Sequence, residues 1–358
     1  MNFEKEMKVQ IIGCGLIGTS IALRLKERGH LVWLADEKPE NLALARALIG
    51  NAKHEPDFFD LIIIATPISA ITSILASLKR FNSDSTVIDI GGLKSKLILQ
   101  VEEFKDIEEI FVSAHPMAGR ESSGPQNARA DLFEGRAWLV TPTRKTNSSS
   151  IKKAENLGEL LGSSSYLISA NDHDEVIAAV SHMPQLISSL MGSLIYLENE
   201  TSLNFAGQGL RDVSRLADSN PQMWTELILE NRDELLTRLN NAIDLLKKLQ
   251  EDLSTSNKEE ILEFFENGRI GRSRIPGKHG SKSRAYAFLP IVIDDKPGQL
   301  AKIFDECAAI AVNIEDLTIE HSPNQEKGLV TLALSQSEAP KLKEHLKNRG
   351  WQAQEIHN

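Results

Sequence analysis

The chain has only two cysteines, Cys14 and Cys307, in 358 residues. They lie far apart, so a disulfide framework is excluded and a reducing cytoplasm is the expected compartment. A basic surplus is also missing. Acidic residues number 50 against 40 basic ones, for a formal net charge of −10. A general nucleic-acid binder needs a basic face, so that class is excluded as well. An anionic substrate must then be held by a local arginine cluster, against the field of the whole chain. Glu4 and Glu6 precede a short apolar run, without the basic start and long apolar stretch of a signal peptide, and none is expected. No set of His, Cys and carboxylate residues has liganding spacing. His173 and Asp174 are merely adjacent, and no metal is expected.

Long charge-free runs are rare too, with one exception. Residues 176–197 contain no Asp, Glu, Lys or Arg, yet they include His182, Pro184, Gln185 and four serines. Acidic residues flank both ends instead of the Lys/Arg bias of a membrane span. A helix buried in a bundle or dimer core is expected there, and no membrane association.

What is present is the composition of a folded globular protein, 41% hydrophobic and 25% charged, at a length that implies two or three domains. The first half alternates β-branched runs with helical stretches, the pattern of a parallel α/β sheet. The strands expected are VQIIG (9–13), LVWLAD (31–36), LIIIATP (61–67), TVIDIGG (86–92), IFVSAHP (110–116) and AWLVTP (137–142), with a last one near Tyr166. From about residue 171 to 267 the period becomes helical, and 227–253 reads as one amphipathic helix. A Gly-, Ser- and Arg-rich stretch follows, and then a strand–helix–strand–strand–helix–strand order. The expected domains are 1–168 (dinucleotide-binding, Rossmann-type α/β), 169–270 (all-α, substrate-binding and dimerising), 271–284 (linker) and 285–358 (βαββαβ, ferredoxin-like).

Gly13, Gly15 and Gly18 form a G-x-G-x-x-G loop that follows a strand, opens a helix and precedes a second strand ending in Asp36. All the context that makes this fingerprint specific is there. Glycines permit the tight turn and the close approach of a pyrophosphate to Gly15, Leu16 and Ile17 at the helix N-terminus. Asp36, with Glu37 beside it, suits the ribose hydroxyls of NAD and repels the extra phosphate of NADP. FAD shares the fingerprint, but nothing later in the chain resembles a flavin domain.

His115 ends the fifth strand, on the edge where such sheets bind ligands. The motifs GCGLIG, ATP, D-x-G…K, HPMAG-x-E-x-S-G, SHMP and GLRD…R-x-A…P-x-M-W then follow in order along the chain. Together they resemble the prephenate dehydrogenase family, in its form with a C-terminal ACT domain. The resemblance implies NAD-dependent oxidative decarboxylation of prephenate to 4-hydroxyphenylpyruvate. It makes His115 the general base, for which an imidazole of pKa near 6.5 is suited. It places Arg215 on a substrate carboxylate, as a planar guanidinium does best, with Arg211 a second candidate. His182 and Glu121 become substrate-side polar residues, and Thr66 and Pro67 of the ATP motif join the cofactor site.

One departure stands out. The family usually has a serine where this chain has Gly92, two residues before Lys94, so either a water or another hydroxyl orients His115 or its imidazole is less well preorganised. The ACT resemblance points to Asp295, Pro297, Gly298 and Asn313 as a site for tyrosine, acting as an inhibitor across a homodimer interface. Arogenate in place of prephenate, a 3-hydroxyacid dehydrogenase and a non-enzymatic NAD and amino-acid sensor are the competing readings. The second of these lacks its lysine-bearing, glycine-rich helix here.

Overall fold

The computed structural model describes residues 6–50, 54–118, 124–275, 286–321 and 327–357. Strands and helices alternate at first: β1 (Lys8–Ile12), α1 (Leu16–Glu27), β2 (Leu31–Ala35), α2 (Pro39–Ile49), β3 (Leu61–Ile64), α3 (Ile68–Ser77), β4 (Thr86–Asp89), α4 (Ser95–Val101) and β5 (Phe111–Pro116). These five strands pair in parallel in the order β2-β1-β3-β4-β5. Their side chains alternate between two cores. Ile62 and Ile64 pack with Leu97 and Phe111, while Leu61 and Ile63 pack with Ile11 and Val112. Burial on both faces is why the strands read as unbroken apolar runs. The ladder stops at Ile64 and Asp89, earlier than the runs themselves, because Ala65–Pro67 and Ile90–Gly92 leave the sheet as loops along its ligand-bearing edge.

The expectation of a wholly parallel sheet is corrected at the far side. β6 (Ala137–Pro142) runs antiparallel to β5, and β7 (Ser164–Leu167) is parallel to β6. A parallel β5–β6 pair would need a crossover helix, whereas an antiparallel one does not. Among the described residues between them there is only the short 3₁₀ turn Pro125–Asn127. The reversal matters for the site. Tyr166 of β7 stands level with Leu139, and through it with His115, and β7 then runs on toward the start of β5, so the helix that starts at Ala170 must run back to bring His173 to His115.

After α5 (Ser148–Leu160) and β7 the chain turns helical: α6 (Ala170–Ile177), a π-helical turn (Ala178–His182), α7 (Met183–Tyr196), α8 (Glu200–Leu203), α9 (Gln208–Ser214), a 3₁₀ turn (Arg215–Asp218), α10 (Pro221–Glu230), α11 (Arg232–Ser254) and α12 (Lys258–Ser273). The single helix expected over 227–253 is broken at Asn231, whose backbone (φ −105°, ψ 25°) leaves the helical range. The charge-free run 176–197 is not buried on all sides within the chain. Val180, Leu190, Leu194, Tyr196 and Leu197 are exposed. Among the described residues no helix is long and apolar enough to cross a membrane.

α12 continues to Ser273, past the start of the expected linker, the rest of which (276–284) lies outside the described residues. Beyond it come β8 (Tyr286–Asp294), α13 (Gln299–Ala309), β9 (Asp316–His321), β10 (Lys327–Ser335), α14 (Ala339–Asn348) and β11 (Gln352–Ala353). They form an antiparallel sheet ordered β11-β8-β10-β9, with Ile303, Cys307, Leu342 and Leu346 of the helices in its core. Met1–Leu197 with Val213–Leu245 makes one compact unit, and Glu198–Asp212 with Leu246–Asn358 another.

Candidate active site

The glycine loop is shaped by close backbone contact. A Cβ on Gly13 (φ +101°) would stand 2.4 Å from the Ala65 carbonyl oxygen, and one on Gly18 would stand 2.0 Å from that of Gly13. At Gly15 a Cβ would meet nothing within 4 Å, so that side of the loop is open to a phosphate. Gly15 is also the N-cap of α1, and no side chain caps that helix end, which leaves its positive pole for an anion. Asp36 accepts from the Cys14 N–H at 2.6 Å and the Lys38 N–H at 2.7 Å. Its carboxylate is thus held at the mouth of the loop, where a ribose would lie. Thr66 reaches the same place, its Cγ2 lying 3.0 Å from where a Gly13 Cβ would be, and Pro67 opens α3. These residues fit NAD.

The groups around His115 answer the question raised by Gly92. His115 Nδ1 lies 3.0 Å from His173 Nε2, and His173 Nδ1 lies 2.8 Å from Asp174 Oδ1. Asp174 in turn accepts from the backbone N–H of Lys94 (3.0 Å) and of Ser95 (2.8 Å). Burial pushes the Asp174 carboxyl up, but the hydrogen bonds from His173, Ser95 and Lys94 outweigh it and hold it below the usual carboxylate range. A carboxylate can only accept. His173 must therefore donate from Nδ1 and accept at Nε2, and His115 must donate from Nδ1. The lone pair of His115 is left on Nε2. Burial, then His173, Lys94 and His182, push the His115 pKa well below its ordinary value, so the ring is an unprotonated base at neutral pH. The space a serine would use at position 92 is covered by Leu227, whose Cδ2 lies 3.0 Å from a Cβ built there.

His182 is buried in the π-helical turn, where Asn231 Nδ2 lies 3.3 Å from its Nδ1 and the Trp224 ring stands edge-on with centroids 5.7 Å apart. Burial brings its pKa down to about 4, against the opposing pull of the Asp174 carboxylate and with a smaller push from His173. Asn231 also donates to the Asp174 carbonyl at 2.9 Å, which explains the helix break there. Arg215 is exposed and begins a 3₁₀ turn pinned to α7. Gln185 Nε2 donates to the Leu216 carbonyl at 2.8 Å, and the Ala217 N–H donates to Ser188 Oγ at 3.1 Å. Arg211 lies on α9, in the other compact unit. Glu121 lies outside the described residues.

In the C-terminal sheet domain Gly298 caps α13 in the left-handed conformation (φ +85°), following Asp295 and Pro297. Asn313 Nδ2 donates to Glu315 at 3.1 Å. Sequence reasoning missed His173, Asp174, Asn231 and Gln185 as parts of this arrangement. The adjacent His173–Asp174 pair was legible only as a failed metal motif. The signal was its place near the start of the first helix after β7.

A dinucleotide fold with a tautomer-locked, unprotonated imidazole at its ligand edge defines an NAD-dependent oxidoreductase. The comparisons sharpen that class. The sequence profile of the prephenate dehydrogenase nucleotide-binding domain matches residues 21–167, and that of the prephenate dehydrogenase dimerization domain matches residues 169–267. The chain is 30% identical to the cyclohexadienyl dehydrogenase of Zymomonas mobilis, covering 76% of this chain and 97% of that one. It is 28% identical to the prephenate dehydrogenase of Bacillus subtilis, over 91% of each. The crystal structure of Aquifex aeolicus prephenate dehydrogenase with hydroxyphenyl propionate and NAD+ superposes with a TM-score of 0.68 at 28% identity, covering 75% of this chain and 98% of that one. The chain belongs to the prephenate dehydrogenase family.

Proposed function

We propose that this chain oxidises and decarboxylates prephenate to 4-hydroxyphenylpyruvate, with His115 as the base. The observation that carries the assignment is the line Asp174–His173–His115, which leaves the acceptor lone pair on Nε2. Bound NAD supplies the hydride acceptor. His115 Nε2 takes the proton of the ring hydroxyl as the C–O bond becomes a carbonyl. The substrate's ring carboxylate then leaves as CO2, its bonding pair enters the ring, and His115 returns the proton to the resulting phenolate oxygen. Aromatisation makes a separate electron sink unnecessary.

Arg215 holds a substrate carboxylate, on the turn that Gln185 and Ser188 anchor. Arg211 and Glu121 are assigned to the same substrate by resemblance, and His182 flanks it as a neutral donor. The helical segment forms a homodimer. The enzyme works in the cytoplasm, where the two buried, unpaired cysteines stay reduced. The C-terminal domain, with its βαββαβ order and its sheet order β11-β8-β10-β9, is an ACT-type sensor through which tyrosine inhibits at Asp295, Pro297, Gly298 and Asn313. Tyrosine inhibition unchanged in a chain ending at residue 280 would remove that assignment.

The main test is NADH formation from prephenate and from arogenate, each with NAD and with NADP. Turnover is expected with prephenate and NAD, and none with NADP. His115→Asn should lower kcat by roughly a hundredfold or more while NAD binding persists. Wild-type turnover in that variant would end its role as base.

A further inference from the structure

Behind His115 lies a buried ion pair that no step above uses. Lys94 and Asp89 are both fully buried, and Lys94 Nζ lies 2.9 Å from Asp89 Oδ2. The same ammonium donates to the Ala114 carbonyl at 2.7 Å, in the peptide that joins Ala114 to His115. Asp89 also accepts from the Gly91 N–H at 2.9 Å and from the Ser113 hydroxyl, so it braces both β4 and β5. At its other end Lys94 gives its backbone N–H to Asp174, the anchor of the His173 ring. One residue therefore fixes both ends of the histidine line: the strand that carries His115, through the ammonium, and the carboxylate that sets the tautomers, through the backbone.

Stability does not account for such a pair. A fully buried ion pair returns its desolvation cost only in good geometry, and an apolar pair of equal volume is often as stable. A fixed cation beside a base has a further effect, since it disfavours the protonated base. The titratable and charged groups around His115 are His173 and Asp174 from α6, His182 from the π-helical turn, and Lys94 with Asp89 from the β4 side. His173 and His182 are neutral, and the Asp174 and Asp89 carboxylates are engaged as acceptors. Lys94 is the cation among these groups: burial pushes its ammonium below the usual lysine range, and Asp89 and Asp174 pull against that.

We propose that Lys94 is a positioning residue for the reaction: it holds the His115–His173–Asp174 line in register and keeps His115 unprotonated, without touching substrate. This rests on the assignment of His115 as base. The test compares Lys94→Met, the double variant Asp89→Asn/Lys94→Met and His115→Asn with the wild-type chain. The readouts are kcat, the pH profile of kcat/KM, NAD affinity by fluorescence titration and circular dichroism.

Lys94→Met should lower kcat roughly tenfold to a hundredfold, as loss of register does, and leave NAD affinity within about twofold. It should also move the acid limb of kcat/KM to higher pH, because the cation that opposes protonation of His115 is gone. The limb should move up less far in the double variant, where the carboxylate leaves with the ammonium. If the single variant does not fold, the double variant carries the test, since it leaves no unpaired buried charge. A folded variant with lowered kcat and an unmoved acid limb would reduce Lys94 to a structural part, and unchanged kcat and limb would remove the proposal. The two failures separate cleanly. Normal turnover in His115→Asn overturns the base assignment itself, whereas its collapse beside an unmoved limb in the Lys94 variants overturns only the role of Lys94.

Discussion

An imidazole abstracts a proton only through a nitrogen that lacks one, so the decisive property of His115 is which nitrogen is bare. That property belongs to Asp174, two hydrogen bonds away, because a carboxylate cannot donate. Asp174→Asn should disturb the line more than its size suggests. An amide nitrogen facing His173 would donate to Nδ1, reverse both tautomers and put a proton on His115 Nε2. The expected outcome is a fall in kcat of roughly a hundredfold or more with KM for NAD unchanged, checked by steady-state kinetics. A fall of less than about threefold would mean that the tautomer is set elsewhere. Gly13, Gly15, Gly18 and Asp36 stood out in the sequence because they sit in a local strand–turn–helix–strand pattern, and His115 because it lies at the end of a strand. His173 was not, because its partner is 58 residues away and no local period marks the pairing. The missing hydroxyl at Gly92 was legible as a gap, but only the fold shows Leu227 covering the place.

At the scale of elements, the breaks in the helices carry the residues proposed for the substrate site. The π-helical turn Ala178–His182 carries His182, the break at Asn231 supports it, and the 3₁₀ turn Arg215–Asp218 carries Arg215. Periodicity read 227–253 as one helix because the leucine and isoleucine stripe does continue. A single buried polar residue that spends its side chain on Asp174 and His182 interrupts the ladder without interrupting the stripe. Parallel pairing was overread for a similar reason, since β6 has the composition of a buried strand whichever way it runs. The Arg215 turn hangs on two buried polar side chains of α7, so Gln185→Leu should leave the Leu216 carbonyl without this donor and loosen the turn. The expected result is a KM for prephenate raised roughly tenfold, with KM for NAD and the acid limb of kcat/KM unmoved. Unchanged KM for prephenate would detach this anchor from substrate binding.

At the scale of the whole molecule, the exposed Leu190, Leu194, Tyr196 and Leu197 lie within the segment that matches a dimerization domain. Their exposure in one chain fits the homodimer face proposed for that segment, which would account for a charge-free run in a strongly acidic protein. Acid is the other stress such a protein meets, and the histidines of the site decide its direction. His115, His173 and His182 all have depressed values, with burial the largest cause in each. The folded chain therefore binds fewer protons than the unfolded chain just below pH 6.5. Stability is fully present above that pH and is lost as the pH falls toward the folded values. For His182, lowered from 6.5 to about 4, the loss between pH 7 and pH 5 is about 2 kcal/mol. His115 and His173 act in the same direction. Urea unfolding across that interval should show the midpoint falling with pH, and His182→Leu should flatten part of the slope, because its side chain takes up no proton on unfolding. A wild-type midpoint that holds or rises from pH 7 to pH 5 would show that these rings are not kept neutral by the fold, and the unprotonated state assigned to His115 would fall with it.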